Sequence, residues 1–256
     1  MGDLPSIEQL RHITQPSSVI DRPNGEHWMG KLYFRKISPY FTREALRIGL
    51  SANQVTYIMI FFGLLGAWSF AIDGPIALLG FIGIQIYLLL DCVDGEVARF
   101  KKTEGARGVY LDRWGHYVVE GSIIIAFSLR ASESSINGYL VLGLLGSILA
   151  LLSKIETDLV DSARYQAGFG VMPERATKMK SKPLAKARKI VKYLPFHRVL
   201  HAAEASIVGS IAIIIQAITQ DSIFSEIFTV WLFITAAIVA PLHLVSILNS
   251  SRLISE

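Results

Sequence analysis

Long apolar segments alternate with short polar ones along most of this chain. Six of these segments approach the ~20 apolar residues that a helix needs to cross ~30 Å of hydrocarbon. They are residues 55–72, 75–93, 109–130, 138–160, 203–219 and 224–247. The fifth segment is the shortest, because its purely apolar part runs only from Ala205 to Ala217. The pattern predicts an all-α integral membrane protein with six transmembrane helices.

The chain before the first predicted span divides into two parts. Residues 1–30 are polar and turn-rich, so we expect a loosely ordered tail without the apolar core of a cleavable signal sequence. Residues 31–48 alternate basic and apolar positions. This alternation predicts an amphipathic helix that lies in the membrane interface. Residues 49–250 then form the predicted membrane domain.

Composition and charge agree with a membrane protein and predict its orientation. Hydrophobic residues make up 52% of the chain, and its mean hydropathy is +0.43. Seven Lys and Arg residues precede the first span and four lie between the second and third, whereas the outer loops carry essentially only Arg130. The positive-inside rule therefore predicts a multi-pass plasma (inner) membrane protein with both termini in the cytoplasm. This topology and anionic headgroups account for the net charge of +4, so the expected partner is the lipid bilayer and no nucleic acid.

Two carboxylates lie inside one of the most apolar segments. Asp91 ends the run IQIYLLLD, and Asp94 follows three residues later, so both share one helical face. An acidic group in hydrocarbon costs about 3 kcal/mol or more unless it is paired or bound to a cation. Asp112 and His116 are spaced by four on the next predicted helix. This layout predicts a metal site between two helices.

The residues from Asp91 to His116 read D-x2-D-G-x2-A-R-x8-G-x3-D-x3-H. This pattern resembles the signature of the CDP-alcohol phosphotransferase family at seven of its eight fixed positions, with His116 in place of the last aspartate. The segment SPYFTREALRIGLSANQVTYIMI is similar to the family's approach to its first membrane helix, with Asn53, Gln54 and Thr56 in the usual places. The resemblance covers roughly residues 32–247.

This resemblance implies an integral membrane enzyme that moves a substituted phosphate from a CDP-linked donor to an acceptor hydroxyl and releases CMP. The donor is either CDP-diacylglycerol or a soluble CDP-alcohol, and the sequence does not choose between them. The resemblance also implies a homodimer, and we expect the six helices to surround a polar cavity open to the cytoplasm. The alternative is a catalytically altered relative that binds nucleotide or metal, or conducts an ion.

The residue types in the motif suit phosphoryl transfer. Divalent cations held by hard oxygen ligands neutralise the negative charge of a pyrophosphate, so we expect one or two Mg²⁺ or Mn²⁺ ions. Their predicted ligands are Asp91, Asp94, Asp112 and His116. The resemblance implies that the nucleotide contacts Asn53, Thr56, Asp91, Gly95, Ala98, Arg99 and Gly108. A guanidinium such as that of Arg99 can pair with a phosphate through two hydrogen bonds.

His116 has two candidate roles. Asp112, His116 and Glu120 are spaced by four and so form one stripe on a helix. A neutral imidazole can act as the general base for the acceptor hydroxyl, and Glu120 would then orient the ring. In the opposing interpretation, the loss of an anionic ligand removes the second metal and leaves a weak enzyme or a binding protein. The intact remainder of the motif favours the active interpretation.

Two basic residues are candidates for binding the acceptor. Lys154 and Arg164 lie at or near the cytoplasmic end of the fourth predicted span, where they are candidates to hold a phosphorylated acceptor. An ordinary charged helix end explains both residues equally well. A second basic run, residues 178–192, is expected to be a solvated or headgroup-binding loop rather than a specific acceptor site.

Overall fold

A computed structural model describes residues 4–20, 28–170 and 196–253, and all regular elements within these ranges are helical. The helices are α1 (Ile7–Thr14), α2 (Ser17–Ile20), α3 (Arg35–Arg47), α4 (Ala52–Ser69), α5 (Leu79–Lys101), α6 (Ala106–Ala131), α7 (Gly138–Gln166), α8 (Ala202–Thr219) and α9 (Ile223–Leu248). A π-helical turn precedes α3 at Gly30–Phe34, and short 3-10 helices precede α5 and α8 at Pro75–Leu78 and Phe196–Leu200. The predicted all-α class is confirmed.

Several of these helices can cross a bilayer. Four of the described segments are long and apolar enough, and they are Pro75–Lys101, Gly138–Gln166, Ala202–Thr219 and Ile223–Leu248. A fifth is reached if the bent pair Gly30–Arg47 and Ala52–Ser69 is counted as one span. Helix α6 has 26 residues and is therefore ~39 Å long, but its polar residues leave it outside this set. The chain is a membrane protein, and the full set of six spans stays a prediction.

A sharp bend of 119° separates α3 from α4. Gly49, in the connection, has φ +80°, a conformation that glycine adopts without the steric cost of a Cβ. Ser51 then caps α4 in a capping box, in which the Ser51 hydroxyl accepts from the Gln54 N–H and the Gln54 side chain accepts from the Ser51 N–H. This bend lies where the sequence predicted the change from an interfacial helix to a span. The interfacial position of α3 stays a prediction.

Part of the expected N-terminal tail is ordered. Helix α1 begins with a capping box formed by Ser6 and Gln9, and Leu10 and Thr14 on this helix are fully buried. The polar composition of residues 1–30 did not indicate this short amphipathic helix, because the helix gains its stability from tertiary packing. The basic run 178–192 lies outside the described residues.

The chain forms two compact units, residues 1–119 and 120–256, and the boundary falls within α6. In the first unit, α4 and α5 approach each other at a pair of glycines. A Cβ added to Gly83 would lie 2.6 Å from the Cα of Gly66, so only glycine fits there. Small residues at crossing points let membrane helices pack with their backbones in close contact.

The second unit is built around the packing of α7 and α8 with α9 and the end of α6. A Cβ on Gly146 of α7 would lie 3.2 Å from the Cα of Phe233 on α9. Phe127 of α6 packs edge to face on Phe228 of α9, with ring centroids 4.8 Å apart, and the Thr229 hydroxyl donates to the Phe127 carbonyl. Aromatic and small residues thus fill the interior of this unit.

Candidate active site

Helices α5 and α6 bring three polar side chains of the motif together in the first unit. The Nε2 atom of His116 lies 3.0 Å from Oδ1 of Asp91 and 3.4 Å from Oδ1 of Asp112. One potential ligand atom from each residue lies within 4.8 Å of the other two. All three side chains are partly exposed, between 28% and 40%, so the helix packing does not fully enclose them. The predicted cluster is therefore present for three of its four residues.

This donor set fits one divalent ion. Two ligand atoms on opposite sides of an ion are separated by twice the metal–ligand distance. This separation is ~4.2 Å for Mg²⁺ and up to ~5 Å for Ca²⁺. The largest separation within the Asp91, Asp112 and His116 group does not exceed 4.8 Å. Two carboxylates and an imidazole could therefore ligate a common ion after only small side-chain movements.

Asp94 lies one turn along α5 and has a different partner. Its carboxylate is largely buried, at 8% exposure, and Oδ2 accepts a hydrogen bond of 2.7 Å from the hydroxyl of Thr56 on α4. The spacing of three residues from Asp91 predicted that Asp94 shares its helical face. The structure adds the contact with Thr56, which connects α5, the helix that begins the motif, to α4. A ligand role for Asp94 stays a prediction.

Tyr87 is a member of this cluster that the sequence reasoning missed. Its hydroxyl hydrogen-bonds to Nδ1 of His116, and the two rings meet edge to face with centroids 5.5 Å apart. Tyr87 is fully buried. The signal was present in the sequence, because Tyr87, Asp91 and Asp94 are spaced by four and three and so lie on one stripe of a helix.

The residues implied in nucleotide binding lie on α4, α5 and α6 of the same unit. A Cβ added to Gly108 would lie 3.7 Å from Oδ1 of Asn53, so the starts of α6 and α4 are close together. The guanidinium of Arg99 lies over Gly95, 3.1 Å from the position of an added Cβ. Ala98 precedes Arg99 on α5 and is partly buried. The missing side chain of Gly95 thus leaves room for the guanidinium of the predicted phosphate-binding arginine against α5.

The guanidinium of Arg99 contacts the end of α1 through its Nε atom. Its Nε donates a hydrogen bond of 2.5 Å to the carbonyl of Thr14 at the end of α1. Its Nη2 is buried and has no hydrogen-bond partner among the described residues. A buried N–H group without a hydrogen-bond partner is costly. A guanidinium with such an unpaired N–H group is therefore suited to binding an anionic ligand.

Glu96, in a variable position of the motif, forms a buried network that the sequence reasoning also missed. It is 0% exposed, and its carboxylate accepts hydrogen bonds of 2.6 Å from each of the Ser38 and Thr42 hydroxyls on α3. Gln15 after α1 donates a third bond of 2.8 Å, and Arg35 forms a salt bridge of 3.4 Å. This network joins α3 and the N-terminal segment to the motif helix.

In the second unit, the buried carboxylate of Glu120 forms an ion pair with Lys154 of α7. It also accepts a hydrogen bond of 3.3 Å from the N–H of Ala202, the first residue of α8, and lies 3.7 Å from Nδ1 of His201. A carboxylate at a helix N-terminus is favourable, because the first N–H groups have no partner within the helix. The expected orientation of His116 by Glu120 stays a prediction, and Tyr87 already contacts that ring.

Two further histidines lie near polar groups of this unit. Nδ1 of His243 on α9 is 3.0 Å from the buried carboxylate of Glu156. Burial, together with electrostatic repulsion from the nearby His201 and Arg198, lowers the pKa of His197 below its ordinary value. His197 is therefore held in the neutral form at pH values where an exposed histidine begins to gain its proton.

Arg164, the second candidate for acceptor binding, contacts backbone carbonyls. Its Nη1 donates a hydrogen bond of 2.8 Å to the carbonyl of Arg252. Its Nε and Nη2 donate hydrogen bonds of 3.0 and 2.8 Å to the carbonyl of Gly170. The guanidinium also lies over the ring of Phe169, 5.7 Å from the centroid. These contacts are those of a helix-end residue, which was the competing interpretation.

Comparison with protein families identifies the chain. The model of the CDP-alcohol phosphatidyltransferase family matches residues 50–242, which is well over half of the 256 residues. A comparison with curated proteins finds no match. The matched range includes the cluster of Asp91, Asp112 and His116 as well as the helices α4 to α8. The chain therefore belongs to the CDP-alcohol phosphatidyltransferase family, whose members transfer phosphate groups from CDP-alcohols to acceptors in lipid biosynthesis.

Proposed function

We propose that this chain is a membrane phosphotransferase that moves a substituted phosphate from a CDP-linked donor to an acceptor hydroxyl and releases CMP. The observation that carries the proposal is the group of Asp91, Asp112 and His116, whose ligand atoms lie within 4.8 Å of one another inside the family's matched range. A chance placement of carboxylates in apolar helices is unfavourable. The partial exposure of the three side chains also supports a ligand-binding role over a purely structural one.

The side chains of Asp91, Asp112 and His116 would hold a divalent ion, with Asp94 as a further ligand. When bound, the ion supplies positive charge that neutralises the pyrophosphate of the donor. Thr56 keeps Asp94 in a defined orientation through its 2.7 Å hydrogen bond. These residues come from α4, α5 and α6, so the packing of three helices preorganises the proposed ion site.

The nucleotide would contact the surface formed by Asn53, Thr56, Gly95, Ala98, Arg99 and Gly108, in addition to Asp91. The unpaired, buried Nη2 of Arg99 supports a phosphate contact, because guanidinium–phosphate hydrogen bonds are among the strongest that a side chain makes. Gly95 supports it as well, since any side chain there would meet the Arg99 guanidinium at 3.1 Å.

For His116 we propose the ligand role rather than the general-base role. Nε2 faces the oxygens of Asp91 and Asp112, and Nδ1 is hydrogen-bonded with Tyr87. Both ring nitrogens thus have partners within the site, which leaves neither directed at an acceptor hydroxyl. Glu120 is proposed to act by holding Lys154 and the start of α8, through the contacts described above.

Lys154 is the proposed contact for an anionic group of the acceptor. Its side chain is 20% exposed and sits among Glu120 and His201, so its charge is held in place and remains reachable. Arg164 is a weaker candidate, because its guanidinium already donates to the carbonyls of Gly170 and Arg252. The acceptor is thus proposed to be an alcohol that carries a phosphate.

The wider setting is also proposed. The membrane domain would run over residues 49–250, and the family match to residues 50–242 supports these limits. We propose a plasma-membrane location with both termini in the cytoplasm and a homodimer as the working form. The charge bias of the loops supports the orientation, since CDP-linked donors are made in the cytoplasm.

The test is a CMP-release assay on the purified protein with a panel of CDP-linked donors and hydroxyl acceptors. We expect release only with a divalent ion and an acceptor present, and mass analysis of the product would identify the pair. The variants Asp91→Asn, Asp94→Asn and Asp112→Asn should each abolish release while the protein stays folded in detergent. Asp73→Asn, at an exposed loop position, is the matched control and should retain full activity.

Two outcomes would count against the proposal. Near-normal turnover in two of the three aspartate variants at saturating metal would show that the cluster does not hold the required ion. Metal binding without CMP release from any donor would instead favour the alternative of a catalytically altered relative.

A further inference from the structure

We propose that the cluster of Asp91, Asp112 and His116 binds a transition-metal ion of the Mn²⁺ or Zn²⁺ kind in preference to Mg²⁺, and that Tyr87 is the positioning residue for its nitrogen ligand. This inference rests on the proposed function only in that both use the same ion site. It specifies the chemical class of the ion, which the family membership does not.

The first argument is the position of a nitrogen among oxygens. His116 presents Nε2 to the cluster, at 3.0 Å from the Asp91 oxygen and 3.4 Å from the Asp112 oxygen. The ring is therefore turned so that a ligating atom, and not a carbon edge, faces both carboxylates. An ion that contacts these two oxygens would also lie within reach of this nitrogen.

The second argument is the partner of the other ring nitrogen. A metal-bound histidine almost always donates its second N–H to a neighbouring acceptor, which fixes the ring and the tautomer. Here Nδ1 is hydrogen-bonded with the hydroxyl of Tyr87, a fully buried residue on α5. When an ion replaces the hydrogen bond between Nε2 and Asp91, the ring hydrogen lies on Nδ1 and is donated to the Tyr87 oxygen, which leaves the lone pair of Nε2 for the ion. The edge-to-face contact of the rings, at 78° and 5.5 Å, restricts rotation of the imidazole.

The third argument is the chemistry of the donor set. Mg²⁺ strongly prefers oxygen ligands and gains mainly from their negative charge. A neutral imidazole in place of a carboxylate removes one negative charge from the cluster and adds a nitrogen donor. Imidazole nitrogen suits Zn²⁺ and the later first-row transition metals, whereas carboxylates and water suit both Mg²⁺ and Mn²⁺. Of these last two ions, Mn²⁺ is the softer one and accepts a nitrogen ligand more readily than Mg²⁺ does. The presence of His116 beside Asp91 and Asp112 therefore shifts the preference away from Mg²⁺.

The experiment measures metal binding without any donor or acceptor. The full-length protein, purified without a histidine tag and stripped of metal with a chelator, is titrated with Mn²⁺ while the electron paramagnetic resonance signal of the free ion is followed. Mg²⁺ is then added as a competitor, and pulsed measurements on the bound Mn²⁺ detect coupling to a nitrogen nucleus. We expect nitrogen coupling in the native protein and displacement only at Mg²⁺ concentrations well above those of Mn²⁺.

Two variants assign the effect to named residues. His116→Asp should abolish the nitrogen coupling and let Mg²⁺ compete on nearly equal terms. Tyr87→Phe should weaken Mn²⁺ binding by roughly 10- to 100-fold, as losses of such supporting contacts do, and should have no further effect in the His116→Asp background. Tyr110→Phe, at an exposed position of α6, is the matched control.

The inference is overturned if the bound Mn²⁺ shows no nitrogen coupling, if the coupling survives in His116→Asp, or if Mg²⁺ displaces Mn²⁺ at equal concentration from the native protein. The first and last of these readings use only the native protein, so a variant that fails to fold does not weaken the test. CMP release supported equally by Mg²⁺, together with absent nitrogen coupling, would leave the proposed function intact and refute this inference alone.

Discussion

Replacement of Glu96 by alanine should destabilise the first unit strongly and release the N-terminal helix α1. Glu96 is 0% exposed and has four polar partners, which are Gln15, Arg35, Ser38 and Thr42. These partners belong to the N-terminal segment and to α3, so the carboxylate joins both to the motif helix α5. Its loss would leave three buried or half-buried donors and one cation without their acceptor.

The expected magnitude follows from the burial and the distances. A hydrogen bond to a charged group contributes about 1.5–3 kcal/mol, and the bonds from Ser38, Thr42 and Gln15 are short, at 2.6, 2.6 and 2.8 Å. Such contributions do not add within one network. Removal of one member of a buried charged pair costs about 3–5 kcal/mol, and we expect Glu96→Ala to fall in this range. Glu96→Gln keeps the volume and one acceptor oxygen, so it should cost about 1–3 kcal/mol.

The assay combines global stability with a local probe. Denaturant titration in mixed micelles gives the free energy of unfolding, and amide hydrogen exchange of residues 7–14 reports the docking of α1. Because the Thr14 carbonyl accepts from Arg99, the release of α1 should also lower turnover. Glu44→Ala is the matched control, since Glu44 forms an exposed pair with Arg47 that is worth at most about 0.5 kcal/mol. If Glu96→Ala and Glu44→Ala unfold alike and exchange in α1 is unchanged, the network does not hold the N-terminal segment.

Three further predictions concern orientation, acceptor binding and acid stability. A cysteine introduced at Lys102 should be shielded from an impermeant thiol reagent in intact cells, and one at Ser135 should be labelled, because basic residues mark the cytoplasmic side. In steady-state assays, Lys154→Met should raise KM for a phosphorylated acceptor by roughly tenfold or more, because a hydrogen bond to a charged group is lost. KM for the donor should stay unchanged. Burial lowers the pKa of His197, so the unfolded chain takes up the proton at a higher pH than the folded protein. The free energy of unfolding should therefore decline as pH falls through the ordinary histidine range near ~6.5, and His197→Gln should flatten this decline in denaturant titrations.

Each of these has an outcome that would contradict it. The native Cys92 is buried and gives a low background for labelling, so clear external labelling at Lys102 would invert the topology. Glu120→Gln breaks the same ion pair as Lys154→Met, and an equal rise in acceptor KM would mean that the effect is structural. If the free energy of unfolding of His197→Gln declined as steeply with falling pH as that of the native protein, the proton uptake would belong to other groups.

The helical class and the grouping of Asp91, Asp112 and His116 could be predicted from the sequence because both depend on local regularities. Apolar runs near ~20 residues predict membrane helices, and spacings of three and four place side chains on one helical face. Asp112 and His116 satisfy the second rule within α6, and Asp91 satisfies it within α5. The number of spans was harder to predict, because α6 carries polar residues such as Asp112 and His116, and these lower the hydropathy that marks a membrane span.

The tertiary structure alone decided which helices supply the partners of these residues. Thr56 meets Asp94, Tyr87 meets His116 and Glu120 pairs with Lys154, all across separate helices. Such pairs depend on the rotation and depth of one helix against another, and one residue of shift turns a helical face by ~100°. The sequence by itself thus determined an all-α membrane protein with an acidic motif of the CDP-alcohol phosphatidyltransferase family. Packing between helices decided the rest, because close contacts at glycines such as Gly66 and Gly83 set how α4 and α5 meet, and no local spacing encodes that relation.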